Sequence, residues 1–283
     1  MKIFLIKNLS NCFLVASTLL INFSYAQTVL IDPANEGGFE LPGGFAGNGW
    51  TVANNATGNQ WVVGTVPAGF TNNSAFISND AGTTHAYTNT ASTVVHFYRD
   101  VTIPAGETSV QLSFNWVANG ESSFFDGLMV SIAPTTYVPT ATTASLGTAF
   151  LAGVTEVGRF WAQTTPQTVT VSLPPSVVNN CSALSTIRLI FSWKNDTSQG
   201  TNPPAAVDNI SLISAAPNPS PALGTYTIDN TLPTAGTNFA SFDQAIAWLN
   251  SICVNNPIVF NVSAGQTFAE LPRVITATGT AVN

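Results

Sequence analysis

The sequence predicts an all-β protein: an antiparallel two-sheet jelly-roll sandwich, then a short linker and the start of a second β-rich unit. Segments 110–116 and 187–193 alternate apolar and polar residues, which is the period of a half-buried strand. Turn residues bound four further predicted strands: 94–101, 128–132, 168–173 and 207–213. No convincing helical period crosses this region, and many strands without alternating helices favour a sandwich.

A proline-rich segment predicts the boundary between the two units. Three alternate prolines follow Ala215 and favour an extended polyproline conformation, so residues 215–224 are predicted to be a linker between a sandwich at 27–214 and a second unit at 225–283. In the second unit, Ser241 and Gln244 have the spacing of a helix capping box. The apolar face of this predicted helix is formed by Phe242, Ala245, Ile246 and Leu249. A strand at 258–262 should pack against it.

The first 26 residues have the features of a signal peptide. Lys2 and Lys7 precede an apolar run at 13–23, and Ser24-Tyr25-Ala26 places small residues at both peptidase sites. The apolar run is too short for a transmembrane anchor, which needs about 20 residues. We therefore expect cleavage before Gln27 and a secreted or outer-surface protein with no transmembrane anchor in this chain. Because residues 276–283 form no sorting tail or terminal cap, we also expect the second unit to be truncated.

The composition favours an extracellular β protein over a cytosolic enzyme. Only 7% of the residues are charged and the net charge is -7, while asparagine, threonine, serine and glycine are abundant. Nucleic acid is excluded as a partner, because phosphate binding needs clustered lysine and arginine and the few basic residues here are scattered.

No recognisable catalytic motif is present. His85 and His96, the two histidines, lie in no triad or metal motif, so the protein is predicted not to be an enzyme. Cys181 and Cys253 remain after signal removal. They can pair in an oxidising compartment or stay as separate thiols, and the sequence leaves both alternatives open.

Ten short segments, in their order along residues 35–213, resemble bacterial MAM-like jelly rolls of the choice-of-anchor J and cleaved-adhesin group. They are 37–40, 49–50, 59–61, 74–80, 97–100, 112–116, 120–121, 126–130, 191–196 and 203–212. The resemblance implies a module of secreted or surface bacterial proteins that is distantly related to carbohydrate-binding jelly rolls. The second unit, from Tyr226 to Val262, is similar to the N-terminal cap and first strand of a right-handed parallel β-helix.

Three carboxylates are candidate ligands of a structural Ca²⁺. Glu40 lies near the first strand and Asp208 in the last, and these strands are commonly neighbours in jelly rolls. The resemblance supports this pairing, since related carbohydrate-binding modules hold calcium between such residues. The alternative is that Asp208 and Asn209 cap a local turn. Asp126 is either a further oxygen ligand or the start of a turn.

Aromatic residues near predicted turns are candidate platforms for stacking on a sugar ring. These candidates are Trp50, Trp61, Tyr87, Phe125, Tyr137 and Trp161. Core packing is the competing interpretation, and it is favoured for Trp50 and Trp61. It is also favoured for Trp116 and Trp193, which alternate strictly with polar residues.

Together these patterns predict an adhesin-like binding module for glycans or surface proteins. One alternative is an accessory domain of a secreted polysaccharide- or protein-degrading enzyme whose catalytic part is absent from this sequence. A second alternative is a spacer in a surface fibre.

Overall fold

The computed structural model describes the following residues: 27–104, 107, 109–174, 185–215, 224–251, 257–271 and 273–275. The predicted signal peptide, most of the linker and both remaining cysteines lie outside them. None of the helices among the described residues is long and apolar enough to cross a membrane.

Within the described residues, eleven strands form an antiparallel two-sheet sandwich. They are β1 (Gln27–Ile31), β2 (Thr51–Ala53), β3 (Gln60–Gly64), β4 (Ser74–Ser78), β5 (Thr93–Ile103), β6 (Ser109–Ala118), β7 (Gly127–Pro134), β8 (Thr155–Phe160), β9 (Gln163–Ser172), β10 (Ser185–Asn195) and β11 (Ala206–Ala215). One helical turn, α1 (Gly44–Gly47), and a 3-10 turn (Ser122–Phe124) interrupt the strands. The predicted antiparallel sandwich is thus confirmed, and it has a jelly-roll-like order of strands.

The first and last strands of the sandwich lie side by side. Sheet A has the order β3-β4-β11-β6-β9, and sheet B has the order β2-β5-β10-β7-β8. Strand β4 pairs with the beginning of β11, and β1 pairs with its end, where Val29 lies opposite Ile213. We call the part of sheet A that contains β1 its lower half. All six strands predicted from the sequence are present; five extend beyond the predicted ends, and β9 begins five residues earlier and ends one residue earlier than predicted.

The core between the sheets is built around aromatic rings. Phe97 stacks on Phe191 with ring centroids 4.9 Å apart, and Trp61 meets Phe97 edge-on at 4.8 Å. The indole of Trp61 also donates to the carbonyl of Val95, 3.1 Å away. Trp193 is fully buried as predicted. These contacts follow from the period-two pattern, which directs alternate side chains of every strand inward.

Segment 135–154, between β7 and β8, covers part of the outer face of sheet B, around Val94 and Met129. Thr142 exchanges two backbone hydrogen bonds with Val94, at 2.8 and 2.9 Å. The apolar residues of this segment that pack against the sheet are Leu146, Phe150 and Leu151. As a result, Met129 on the outer side of sheet B is fully buried.

The second unit is a small parallel sheet with one helix. Its strands are β12 (Gly224–Ile228), β13 (Asn238–Phe239) and β14 (Ile258–Val262), in the order β13-β12-β14, and its helix is α2 (Phe242–Ser251). The helix and the last strand stand where the sequence predicts them. Trp248, which the predicted apolar face omits, packs against Tyr226 at 4.7 Å and Phe239 at 5.2 Å.

Half of the predicted capping box is formed. Ser241 Oγ accepts from the amide of Gln244 at 3.1 Å. The Gln244 side chain instead accepts from Thr234. Glu270, distant in sequence, accepts from the amides of Phe242 at 3.0 Å and Asp243 at 2.6 Å. A carboxylate from a later segment thus caps the helix, as expected at the positive end of a helix dipole.

Candidate functional site

Asp126 is the centre of a buried hydrogen-bond network at one end of the sandwich. Its carboxylate is fully buried; one oxygen accepts from Tyr87 Oη at 2.6 Å and the other from the amide of Asp196 at 2.8 Å. Burial raises the pKa of Asp126, while these two hydrogen bonds oppose the rise. Burial also raises the pKa of Tyr87, helped by the hydrogen bond to Asp126. The network therefore joins the loop before β7 to the loop after β10.

Two glycines make room for this carboxylate. Gly120 and Gly200 both have a positive φ, +58° and +72°. A Cβ on Gly200 would overlap both Tyr87 Oη and Asp126 Oδ2, and a Cβ on Gly120 would approach the carbonyl oxygen of Asp126 to 2.5 Å. Larger residues are therefore excluded from both positions, by backbone conformation and by space.

Glu121 and Asp196 complete an acidic cluster with Asp126. One carboxylate oxygen from each lies within 4.8 Å of the other two. Oε2 of Glu121 is buried and has no hydrogen-bond partner. Burial raises the pKa of Glu121, and the negative charges of Asp196 and Asp126 raise it further. Oxygen ligands of this kind are those that Ca²⁺ prefers.

A buried lysine lies on the other side of the same loop. Lys194 Nζ donates to the carbonyls of Phe124 and Gly147 and lies 4.2 Å from the centre of the Phe124 ring. Burial lowers the pKa of Lys194 to about 8, and the positive charge of Arg159 contributes to the shift. Lys194 thus ties the 3-10 turn next to Asp126 to the segment that covers sheet B.

The predicted pair of Glu40 and Asp208 is close enough for its charges to interact. Asp208 is 2% exposed, and burial raises its pKa to about 7, with the charge of Glu40 adding to the rise. Glu40 accepts from the backbone amide of Asn73 at 3.2 Å. Asp208 accepts from the amide of Asn209 at 2.6 Å, so the turn-capping bond expected under the alternative interpretation is also present. Ligation and capping use different lone pairs and are compatible.

Three of the six predicted stacking residues are part of the core instead. Trp50, Trp61 and Tyr87 are 3%, 1% and 6% exposed. The Trp50 indole donates to the carbonyl of Glu36 at 2.8 Å, and the Tyr87 ring packs edge-on against Trp193. A ring that stacks on a sugar must present a face to solvent, so the ligand-binding interpretation is wrong for these three residues.

The other three aromatic candidates are half-buried. Trp161 packs on Phe124 with centroids 5.2 Å apart, next to the 3-10 turn. Phe125 directly precedes Asp126, while Tyr137 lies in the segment that covers sheet B. Trp161 and Phe125 thus flank the loop that carries the acidic cluster, and Tyr137 belongs to a different part of the surface.

Burial favours the neutral form of both histidines, of which His96 is fully buried and His85 is half-buried against the outer face of sheet A. His96 is 1% exposed; its Nδ1 lies 2.7 Å from Ser192 Oγ and its Nε2 lies 3.3 Å from the carbonyl of Thr140. A carbonyl only accepts, so Nε2 carries the proton and Ser192 donates to Nδ1. Burial lowers the pKa of His96, and likewise that of His85, to about 4. Segment 135–154 separates His96 and Ser192 from solvent.

The sequence matches no protein-family model and no curated protein. Among solved structures it is similar to a cyclase from Fischerella sp. TAU, with 14% identity over 68% of this chain and 98% of that chain, at a TM-score of 0.40. It is also similar to the K1 cleaved adhesin domain of Lys-gingipain from Porphyromonas gingivalis, with 16% identity over 60% of this chain and 92% of that chain, at a TM-score of 0.34.

A third similar structure is the family 11 carbohydrate-binding module of a cellulosomal cellulase of Clostridium thermocellum, with 16% identity over 68% of this chain and 96% of that chain, at a TM-score of 0.34. These likenesses are too distant to assign an activity or a ligand to this chain. The strands and registers described above establish its sandwich.

Sequence reasoning missed the acidic cluster as a unit. Among its three members the sequence pattern predicts only Asp126 as a candidate ligand, because Glu121 and Asp196 lie on separate loops. Two glycines were the only signal of this cluster that the sequence offered, since Gly120 and Gly200 each lie near an acidic residue of the same loop. The covering role of segment 135–154 was also missed, because its apolar residues follow no regular period.

Proposed function

We propose that this protein is an exported, non-catalytic binding module that recognises glycans at the cell surface. The observation that carries the proposal is a rigid sandwich whose exposed strand residues are mostly amides and hydroxyls. Such side chains can both donate and accept hydrogen bonds, which matches the hydroxyl groups of sugars. With only 7% charged residues in the chain, charged partners would find little to bind.

The groups with catalytic potential support the same proposal. His96 and Ser192 are in hydrogen-bond contact, as a base and a nucleophile would be, but each is at most 1% exposed beneath segment 135–154. A substrate would have to displace that segment to reach them. The acidic cluster of Glu121, Asp126 and Asp196 likewise serves the structure by joining two loops.

Calcium is proposed as a structural ion of the sandwich. The pair of Glu40 and Asp208 fits such an ion, because burial and mutual repulsion already hinder ionisation of Asp208 and a cation would relieve both effects. Asp126 is the second candidate, together with the unpartnered Oε2 of Glu121. The ion would clamp β11 to the segment that follows β1.

The second unit is proposed to have the arrangement of a parallel β-helix. The parallel in-register pairing of β14 with β12 supports this assignment, since coils of a β-helix stack in that manner.

Affinity electrophoresis of the full mature chain, residues 27–283, tests glycan binding. We expect at least one neutral polysaccharide, among β-1,4-galactan, laminarin and xyloglucan, to retard the protein. Absence of retardation by all three would contradict the proposal. Hydrolysis of any of them to shorter oligosaccharides would contradict its non-catalytic part.

Thermal unfolding in calcium and in chelator tests the structural ion. Calcium should raise the melting temperature by mass action, and Asp208→Ala should abolish the response while leaving a folded β protein. Glu121→Gln is the matched control at the other acidic site and should keep the response. If Glu121→Gln loses the calcium-dependent rise in melting temperature and Asp208→Ala keeps it, the ion belongs to the acidic cluster. Equal melting temperatures of the wild type in calcium and in chelator would exclude both sites.

A further inference from the structure

The two outer faces of the sandwich differ in how much of them is open. Segment 135–154 covers part of the outer face of sheet B, whereas Thr102 and Thr186 on that sheet are exposed. The upper half of sheet A, around Phe76, is covered by Phe70 and by His85, whose ring lies 5.6 Å from that of Phe76. The lower half of sheet A, where β1, β11, β6 and β9 run side by side, has no such cover among the described residues.

The outward residues of this lower half form a regular array. We call it the polar face, and it comprises Gln111, Ser113 and Asn115 on β6, Thr168, Thr170 and Ser172 on β9, and Ser211 on β11. Their neighbours along the strands, such as Leu112 and Phe114, are fully buried in the core, so the seven side chains point away from it. Each of the seven carries a hydroxyl or an amide, and none is charged.

Strand register sets the geometry of the array. Thr170, Ser113 and Ser211 lie opposite one another in one row across three strands. Rows repeat about every 7 Å along the strands and columns about every 4.8 Å across them. Thr168 donates to Asn115 Oδ1 at 2.8 Å, and Thr170 donates to Ser113 Oγ at 3.3 Å. These bonds hold the side chains in place while the Asn115 amide keeps its donors for a ligand.

An apolar margin and a small notch adjoin the polar face. Val29 is 59% exposed and lies opposite Ile213, so the two form an apolar strip beside Gln111. A cavity of about 80 Å³ opens there, lined by Gln27, Ser109, Gln111, Ile213 and Ser214. A sugar ring likewise has a polar part, the hydroxyls at its edge, and an apolar part, the C–H groups on its faces. The notch is large enough for a ring substituent but not for a whole ring.

The described carboxylates in and beside the rows of the polar face are buried. Asp208, opposite Asn115, is 2% exposed, and Glu107 is 6% exposed and accepts from Ser214 on the far side of the notch. An ionic partner would therefore meet no opposite charge on this face. A neutral partner can form hydrogen bonds with the hydroxyl and amide groups of the polar face.

We propose that the polar face is the contact surface for a neutral polysaccharide, which lies across β6 and β9 and places one ring substituent in the notch. This inference rests on the proposed glycan-binding function and names both the surface and the ligand class. It places the contact on hydroxyl and amide side chains of sheet A, whereas the aromatic rings that the sequence suggested are buried or half-buried.

A matched pair of double variants tests the surface in the full mature chain. Ser113→Lys with Thr170→Lys places two cations in the middle of the polar face. Thr102→Lys with Thr186→Lys is the control, because these exposed threonines form the same kind of cross-strand pair on sheet B, 3.1 Å apart. Affinity electrophoresis uses β-1,4-galactan, laminarin and xyloglucan as neutral probes and polygalacturonate as a charged probe.

The expected result is that the polar-face variant loses at least about tenfold in affinity for the neutral polysaccharide that binds the wild type, while the control stays within about twofold. Equal affinity of both variants would overturn the polar face and leave the proposed function standing. Failure of the wild type to bind any neutral probe would overturn both, and preference of the wild type for polygalacturonate would overturn the neutral ligand class. Thr170→Lys alone, at an exposed position, gives the same comparison if the double variant does not fold.

Discussion

Acid should destabilise the sandwich through His96, because its imidazole is buried as a neutral group. The unfolded chain takes up a proton near pH 6.5, whereas burial lowers the pKa of the folded His96 to about 4. Between these values the unfolded state binds more protons, so stability falls as the pH falls. Above pH 6.5 the ionisation of His96 does not change the stability of the sandwich. The difference between the two pKa values corresponds to about 3 kcal/mol at pH 4.

His96→Asn isolates this contribution. The shorter asparagine side chain keeps an acceptor for Ser192 but loses the hydrogen bond to the carbonyl of Thr140. The substitution should therefore lower the free energy of unfolding by about 1 kcal/mol at pH 7. The stability of the variant should then fall less steeply between pH 6.5 and 4.5 than that of the wild type. Urea unfolding followed by tryptophan fluorescence at a series of pH values measures both slopes. His85→Asn is the comparison: because burial lowers the pKa of His85 to about 4 as well, this variant should lose a similar slope of its own and keep the His96 contribution, and the double variant should lose both.

A direct titration can refute the reasoning. The chain has two histidines, so NMR resolves each imidazole separately. A His96 pKa of 6 or above in the folded protein, or a wild-type pH slope in the His96→Asn variant, would show that the imidazole is not buried as a neutral group beneath segment 135–154.

Three other substitutions test specific contacts. Gly200→Ala should destabilise the sandwich by about 2 kcal/mol or more, because a Cβ would overlap Tyr87 and Asp126 at a positive φ; a change below about 0.5 kcal/mol in urea unfolding would contradict this geometry. Arg188→Lys should cost about 1–2 kcal/mol, because lysine cannot make both bonds to Asp100, at 2.7 and 2.8 Å, and an unchanged melting temperature would argue against the bidentate pair. Glu270→Ala should speed hydrogen exchange of the amides at the start of α2, whereas Glu270→Gln retains an acceptor and should change the exchange less. Equal exchange rates in the two variants would contradict the cap.

Local sequence pattern predicted six of the eleven strands of the sandwich, and the shorter strands β1 to β4 and β8 were not predicted. Alternation in segments 110–116 and 187–193 predicted strands that the structure contains, because one face of each strand packs into the core. The prediction that 187–193 is half-buried was wrong, since the other face of β10 is buried as well. The same reasoning predicted helix α2 and strand β14. The helix cap was only half correct, since Glu270 acts from a segment that no local pattern connects to the helix.

Tertiary structure decided which residues reach solvent and which meet one another. Trp61 and Tyr87 stand near turns in sequence, but strand β3 places the Trp61 ring in the core, and the Tyr87 ring is buried against Trp193 and Asp126. Glu121, Asp126 and Asp196 come together because the loops before β7 and after β10 leave the same end of the sandwich.

The polar face shows the same division between sequence and structure. Alternation along β6 and β9 makes their hydroxyl and amide side chains point outward, which the sequence determines by itself. Whether an outward face is open depends on what folds over it. Segment 135–154 covers part of sheet B with contacts from Leu146 and Phe150, whereas the lower half of sheet A has no covering segment among the described residues, and such long-range packing leaves no periodic signal in the sequence.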